Sequence, residues 1–341
     1  MGKVDEQGRL TTPAAPPAPR SETDGFSLTD ITVDLDARRS RHTVTIRGAR
    51  IDYWQYSAAP TGTQLTAVQE PRTLLVVHGF RGDHHGLERV VEQLPGVRVI
   101  MPDLPGFGTS AALIDAPHDV PSYGRFLADF MAALDLGPGT VLLGHSFGSI
   151  VASHFVAEHP GKVRELILIN PIAAPALEGP KGILSKLAEF YYLASARLPA
   201  RAGNALLRSK TIVHLMSVTM AKTKDQALLR FIHQQHHAYF SLFADRGMLL
   251  QSFRASVGGT VRQVASQLTL PVLLIAGAED EIATLPTQYK LLELLPDAKL
   301  VVIPAVGHLI HYETPVPAAG AIVAFLAQRP ESSAAQPGQS A

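Results

Sequence analysis

Val141-Leu142-Leu143-Gly144-His145-Ser146-Phe147-Gly148 is the stretch on which the reading of this 341-residue chain turns. Three apolar residues without alternation suit a strand buried on both faces. They run straight into Gly-His-Ser-Phe-Gly, and helical apolar spacing begins at once over Ile150–Ala157. A serine on a tight strand-to-helix turn needs small neighbours, because the strained backbone leaves no room for side chains there. Such a turn lifts the hydroxyl above the sheet edge and points a helix N-terminus at the reacting centre. By composition alone, a G-x-S-x-G pentapeptide turns up in about one chain in ten of this length. The strand before it and the helix after it carry the weight. Ser146 is the candidate nucleophile.

Outward from this turn the same kind of apolar run recurs. Leu74–Val77, Val97–Met101, Leu166–Ile169, Val272–Ile275 and Leu300–Ile303 all lack alternation. Helical spacing falls between them at Leu87–Leu94, Tyr123–Leu134 and Leu285–Leu295. Ahead of them, Ile31–Leu35 alternates like a strand, and Thr43–Ile46 and Ile51–Tyr56 flank Gly48 like a hairpin. Strand–helix alternation after an antiparallel start predicts an α/β fold with a mainly parallel sheet. Between Asn170 and Pro271 no buried strand is legible. Ile183, Leu184, Leu187, Phe190 and Tyr191, then Leu228, Leu229, Ile232, Tyr239 and Phe240, follow helical spacing. A structureless loop of that length is improbable, so the interval reads as an inserted helical subdomain.

Three further pieces suit serine chemistry. His78-Gly79-Phe80 closes the run Leu74–Val77, and the backbone N–H of Phe80 with that of Phe147 would form a two-donor oxyanion hole. Gly307-His308 follows the run Leu300–Ile303. His308 is the candidate base, because Gly307 suits a loop whereas His311 falls one turn into a helix start. Gly277-Ala278-Glu279-Asp280-Glu281 follows the run that ends at Ala276. Asp280 is the candidate acid that orients the imidazole, with Glu279 and Glu281 as its competitors.

His78-Gly79-Phe80, Pro102–Ser110 (PDLPGFGTS), GHSFG, the GAED loop and GHLIHYETP together resemble the α/β-hydrolase superfamily, over roughly residues 40–170 and 270–328. The resemblance implies an eight-stranded, mostly parallel sheet flanked by helices, a cap inserted after the sixth strand, and no cofactor. The family's acid loop places Asp two residues beyond a Gly-x pair, which lands on Asp280. Asp103 matches a recurrent Asp whose role in the family is chiefly structural. Haloalkane dehalogenases and the epoxide hydrolases of this fold carry Asp where this chain has Ser146, which sets both aside. Ser149 departs from the family, standing where many members have a second glycine.

The resulting division is a tail at 1–25, core at 26–171, helical cap at 172–265, core at 266–329, and a tail at 330–341. Apolar residues make up 46% of the chain, enough for a substantial core. Thirty basic residues balance thirty acidic ones, which gives no case for nucleic acid or an anionic membrane as partner. Arg38, Arg39 and Arg41 read as a solvated strand edge. The absence of cysteine excludes disulfides and thiolate chemistry. No signal peptide is visible in the opening residues, Glu6 breaks a myristoylation pattern, and no apolar run spans a bilayer. A cytoplasmic protein of unspecified oligomeric state is the expectation. His84-His85 reads as a solvated loop near the pocket mouth. His233, His236 and His237 read as a polar face of the cap rather than a metal site.

The expected reaction is hydrolysis of a carboxylic ester with a hydrophobic acyl or aryl group. Carbon–carbon bond hydrolysis or acyl transfer could use the same residues, and a receptor could use the pocket without turnover.

Overall fold

The computed structural model describes residues 34–59, 72–175 and 182–328. The expected tails lie outside the described residues. At Leu35 the predicted strand gives way to a short helix, α1 (Leu35–Arg38), whose start is capped by Asp34 accepting the Asp36 N–H. The rest of that predicted strand, 31–33, lies outside the described residues.

Strands β1 (Arg39–Ile46) and β2 (Ala49–Tyr56) form the expected hairpin, with Val44 opposite Ile51. Arg47 and Gly48 both have positive φ, 48° and 78°, the turn geometry that matches the twist of paired strands. Then follow β3 (Thr73–Val77), α2 (Glu88–Glu92), β4 (Arg98–Pro102), α3 (Val120–Ala133), β5 (Val141–His145), α4 (Phe147–Glu158) and β6 (Glu165–Ile169). Among the described residues five α-helices come next: α5 (Gly182–Arg197), α6 (Ala200–Leu207), α7 (Lys210–Met220), α8 (Gln226–Tyr239) and α9 (Arg246–Gly258). The chain then returns to β7 (Val272–Gly277), α10 (Leu285–Leu292), β8 (Ala298–Ile303), α11 (Ile310–Glu313) and α12 (Pro315–Ala327).

The eight strands form one sheet in the order β1-β2-β4-β3-β5-β6-β7-β8. The pairings β1–β2 and β2–β4 are antiparallel, and all others are parallel. Every residue of β5, β6 and β7 is buried, which is why these runs are apolar without alternation. Alternate side chains serve two cores. Leu75, Val77 and Leu142 pack with Phe126, Phe130 and Phe155 of α3 and α4. Leu74, Val76 and Leu143 pack on the other face with Val90, Ile322 and Phe325 of α2 and α12. Each such side chain contributes about 1.5–3 kcal/mol on burial.

Arg38 corrects the solvated-edge expectation. It is buried, and its guanidinium donates to the carbonyls of Ser57, Val91, Leu94 and Val97. Among the described residues no helix is long and apolar enough to cross a membrane.

Candidate active site

The loops that leave β3, β5, β7 and β8 meet at the carboxyl edge of the sheet. Ser146 alone separates β5 from α4, with φ 52° and ψ −119°. A side-chain-bearing residue in that region is strained by about 1–3 kcal/mol, and close packing must hold it there. The packing is visible at the flanking glycines. A Cβ on Gly144 would lie 2.4 Å from the Gly148 carbonyl oxygen, and one on Gly148 would lie 2.2 Å from that of Val77. Ser149, the departure from the family pattern, has a use here. Its hydroxyl donates to the Ser146 carbonyl and accepts the Ile172 N–H at 3.1 Å.

The structure brings Ser146, His308 and Asp280 into one hydrogen-bonded chain. His308 Nε2 lies 2.8 Å from Ser146 Oγ, and His308 Nδ1 lies 2.7 Å from Asp280 Oδ2. The second carboxylate oxygen, Oδ1, accepts the N–H groups of Ile282 and Ala283 at 2.7 and 2.9 Å. Burial pushes the Asp280 carboxyl up, but the facing His308 and these hydrogen bonds outweigh it and hold the pKa below the usual value. An anionic Asp280 requires the proton on Nδ1, which leaves the Nε2 lone pair facing the serine hydroxyl. Glu279 and Glu281 are exposed, and Glu281 pairs with Lys222 at 2.7 Å.

Phe80 and Phe147 line the same cavity as Ser146 and His308, a space of about 240 Å³. Phe147 is the first residue of α4, so its N–H is one of the helix-start amides without an acceptor inside the helix. His78 fixes the turn before Phe80. Its Nδ1–H donates to the Gly79 carbonyl, and its Nε2 accepts the Leu104 N–H, both at 2.8 Å. Burial lowers its pKa, in keeping with that neutral tautomer.

A family model described as the alpha/beta hydrolase fold matches residues 72–315. The chain belongs to the alpha/beta hydrolase family. This hydrolase is 30% identical over 237 residues to a pimeloyl-[acyl-carrier protein] methyl ester esterase of Chromobacterium violaceum, covering 69% of this chain and 86% of that one. It is 24% identical over 244 residues to Lipase 3 of a Moraxella species, covering 69% and 71%. Among solved structures, it superposes on a thermophilic esterase from Thermogutta terrifontis with a TM-score of 0.66 at 22% identity, over 85% of this chain and 98% of that one.

Several of the hydrolase's residues have roles that local sequence did not reveal. Asn170, at the end of β6, is fully buried and has φ 45°. Its Nδ2 donates to the His308 carbonyl at 2.9 Å, and its Oδ1 accepts the Gly277 N–H at 3.0 Å. The only local signal was a lone amide closing an apolar run. Arg81, just past Phe80, has φ 59° and is 2% exposed. Its guanidinium donates to the Phe240 and Leu207 carbonyls at 2.9 and 2.8 Å, tying this turn to the helical insertion.

His84 corrects the solvated-loop expectation. It is buried, stacked on Trp54 with ring centroids 3.3 Å apart, and its Nδ1 meets Asp103 Oδ1 at 2.9 Å. Asp103 also accepts the N–H groups of His84 and Thr109, so it organises the loop after β4. His311 sits in α11 against His145, with centroids 4.3 Å apart, rather than at the serine. In α8, His233 and His236 share the Ser217 hydroxyl at 2.6 and 2.7 Å. The side chains grouped closely enough to share an ion, among the described residues, are Asp83, His84 and His85. There His85 Nδ1 is engaged by Asp83 and His84 Nδ1 by Asp103.

Proposed function

We propose that this hydrolase cleaves carboxylic esters with a hydrophobic acyl or aryl group through an acyl-enzyme on Ser146. The observation that carries the proposal is the Asp280–His308–Ser146 chain of hydrogen bonds, at 2.7 and 2.8 Å, opening into a cavity walled largely by apolar side chains. His308 Nε2 takes the Ser146 proton as Oγ attacks the ester carbonyl carbon. The N–H groups of Phe80 and Phe147 stabilise the oxyanion of the tetrahedral intermediate. The imidazolium, steadied by Asp280, returns its proton to the departing alkoxide. A water molecule then gives its proton to His308, attacks the acyl carbonyl and releases the carboxylic acid and free Ser146.

In this reading residues 172–265 form a cap over core segments 26–171 and 266–329. Met216 and Met220 of α7, Tyr239 at the end of α8, the following Phe240, and Val257 of α9 line the cavity from the insertion's side. Their apolar character supports a hydrophobic substrate group.

A fluorophosphonate probe, followed by mass spectrometry of the labelled peptide, tests the proposal. Labelling is expected at Ser146 alone, and Ser146→Ala should lose turnover of p-nitrophenyl esters. Folded protein that hydrolyses esters with Ser146 unmodified would overturn it. Faster turnover of a vinylogous diketone than of any ester would move the reaction to carbon–carbon bonds.

A further inference from the structure

We propose that the outer face of α7 seats the protein on an anionic lipid surface. The balanced charge of the whole chain conceals an uneven distribution. Residues 182–258 contain ten Lys and Arg against three Asp and Glu, so this segment carries +7 and the remainder −7. Within it, no charged residue occurs from Thr211 to Ala221, while Lys210 and Lys222 flank that stretch. Lys210, Lys224, Arg201 and Arg208 are exposed.

The uncharged stretch is a surface helix with its apolar residues turned both ways. Val213 and Ser217 are buried on the inner side of α7. Met216 and Met220, one turn apart, line the cavity that holds Ser146. Leu215 and Val218 point away from the core and are 63% and 50% exposed. Ile282 shares the cavity lining and is 53% exposed. The apolar surface therefore continues from the cavity wall out onto the face of the helix. Lys222 is held by Glu281, so the exposed Lys210 and Lys224 bound this face, which suits a helix lying in the plane of a membrane interface where anionic headgroups meet basic side chains. A symmetric pairing of two copies through this face would set exposed Lys210 and Lys224, within a segment of like net charge, against their own copies, which favours lipid as the occupant. The cavity mouth would then open toward the lipid.

Binding is measured without reference to turnover, so the outcome is independent of the reaction proposed above. Full-length protein is sedimented with phosphatidylcholine vesicles, with and without phosphatidylserine. Partitioning is expected onto the phosphatidylserine vesicles only, weakening as salt rises. Lys210→Glu/Lys224→Glu should weaken it at least about tenfold. Leu215→Asp/Val218→Asp should weaken it too, with the circular dichroism spectrum and turnover of a short soluble ester unchanged. No partitioning, equal partitioning onto both vesicle types, or partitioning untouched by both variants would overturn the proposal. So would a concentration-dependent dimer that Leu215→Asp/Val218→Asp abolishes, which would make this face a contact between copies.

Discussion

Asn170 donates a hydrogen bond to the main-chain carbonyl of His308 at 2.9 Å, from a position 138 residues earlier in the chain. The same side chain accepts the Gly277 N–H at 3.0 Å, on the strand that leads to Asp280. A Cβ on Gly277 would lie 2.3 Å from the Gly307 carbonyl oxygen, so the acid loop and the histidine loop touch with the Asn170 amide bridging them. Asn170, which directly follows β6, thus links the two loops that carry Asp280 and His308.

Asn170→Ala should uncouple that bridge. A buried donor or acceptor left unsatisfied costs about 1–3 kcal/mol. We expect kcat to fall about tenfold or more, with KM within about twofold of wild type, because the cavity lining is untouched. Steady-state kinetics on one activated ester decides this, and an unchanged kcat would show that the amide does not position the histidine.

Asp280→Asn should lower turnover at least about a hundredfold by favouring the unproductive imidazole tautomer. Glu279→Gln and Glu281→Gln should stay near wild type, since both side chains are exposed and neither reaches His308. The comparison uses folded variants on one ester. A crippled glutamate variant beside an active Asp280→Asn would reverse the assignment.

Stability should fall early on acidification because of buried neutral histidines. Burial, then the neighbouring His308, holds His145 down to about 3. Burial, then His233, holds His236 to about 3, and burial outweighs Asp245 to hold His118 at about 4. In the unfolded chain each titrates near ~6.5, so below that pH the unfolded state binds more protons. Each then removes up to about 1.4 kcal/mol of stability per pH unit until its folded pKa is reached. Thermal melting should shift downward between about pH 6.5 and 5, and His118→Gln should flatten that slope. A melting temperature constant across this window would exclude the effect.

Met220→Trp should shorten the preferred acyl chain. Met220 lines the cavity from α7, and the larger ring would fill part of about 240 Å³. The expected profile across esters of increasing length moves its optimum toward shorter acyl groups, with the short-chain kcat little changed. An unaltered profile accompanied by lower stability would make this face packing rather than pocket.

The sheet was legible because strands buried on both faces cannot alternate, as β5, β6 and β7 illustrate. The turn around Ser146 was legible because its backbone excludes any residue but glycine at 144 and 148. Between Asp280 and its neighbours, the difference is one of burial that three consecutive acids do not display. Arg38 and His84 were misread for a related reason. Their neighbours in sequence are mostly charged or polar, but the carbonyls that hold Arg38 lie 19 to 59 residues away, and His84 rests on Trp54 and Asp103. Asn170 left almost no trace, since one amide at a strand end has many ordinary explanations. Averaging charge over the chain hid the basic insertion, because the acidic excess lies elsewhere.

Ser146 and His308 stand 162 residues apart, and the helical insertion lies between them in the chain. Contacts of such long range form slowly, since the loop they close must be ordered first. During synthesis, the turn bearing the serine emerges well before its base, so no partly made chain holds the assembled trio. Recovered hydrolysis after denaturation should therefore track the pairing of β6 with β7, which joins the strands around the serine to those that lead to Asp280 and His308. Regained activity would then report the moment at which the two halves of the sheet have joined across the insertion.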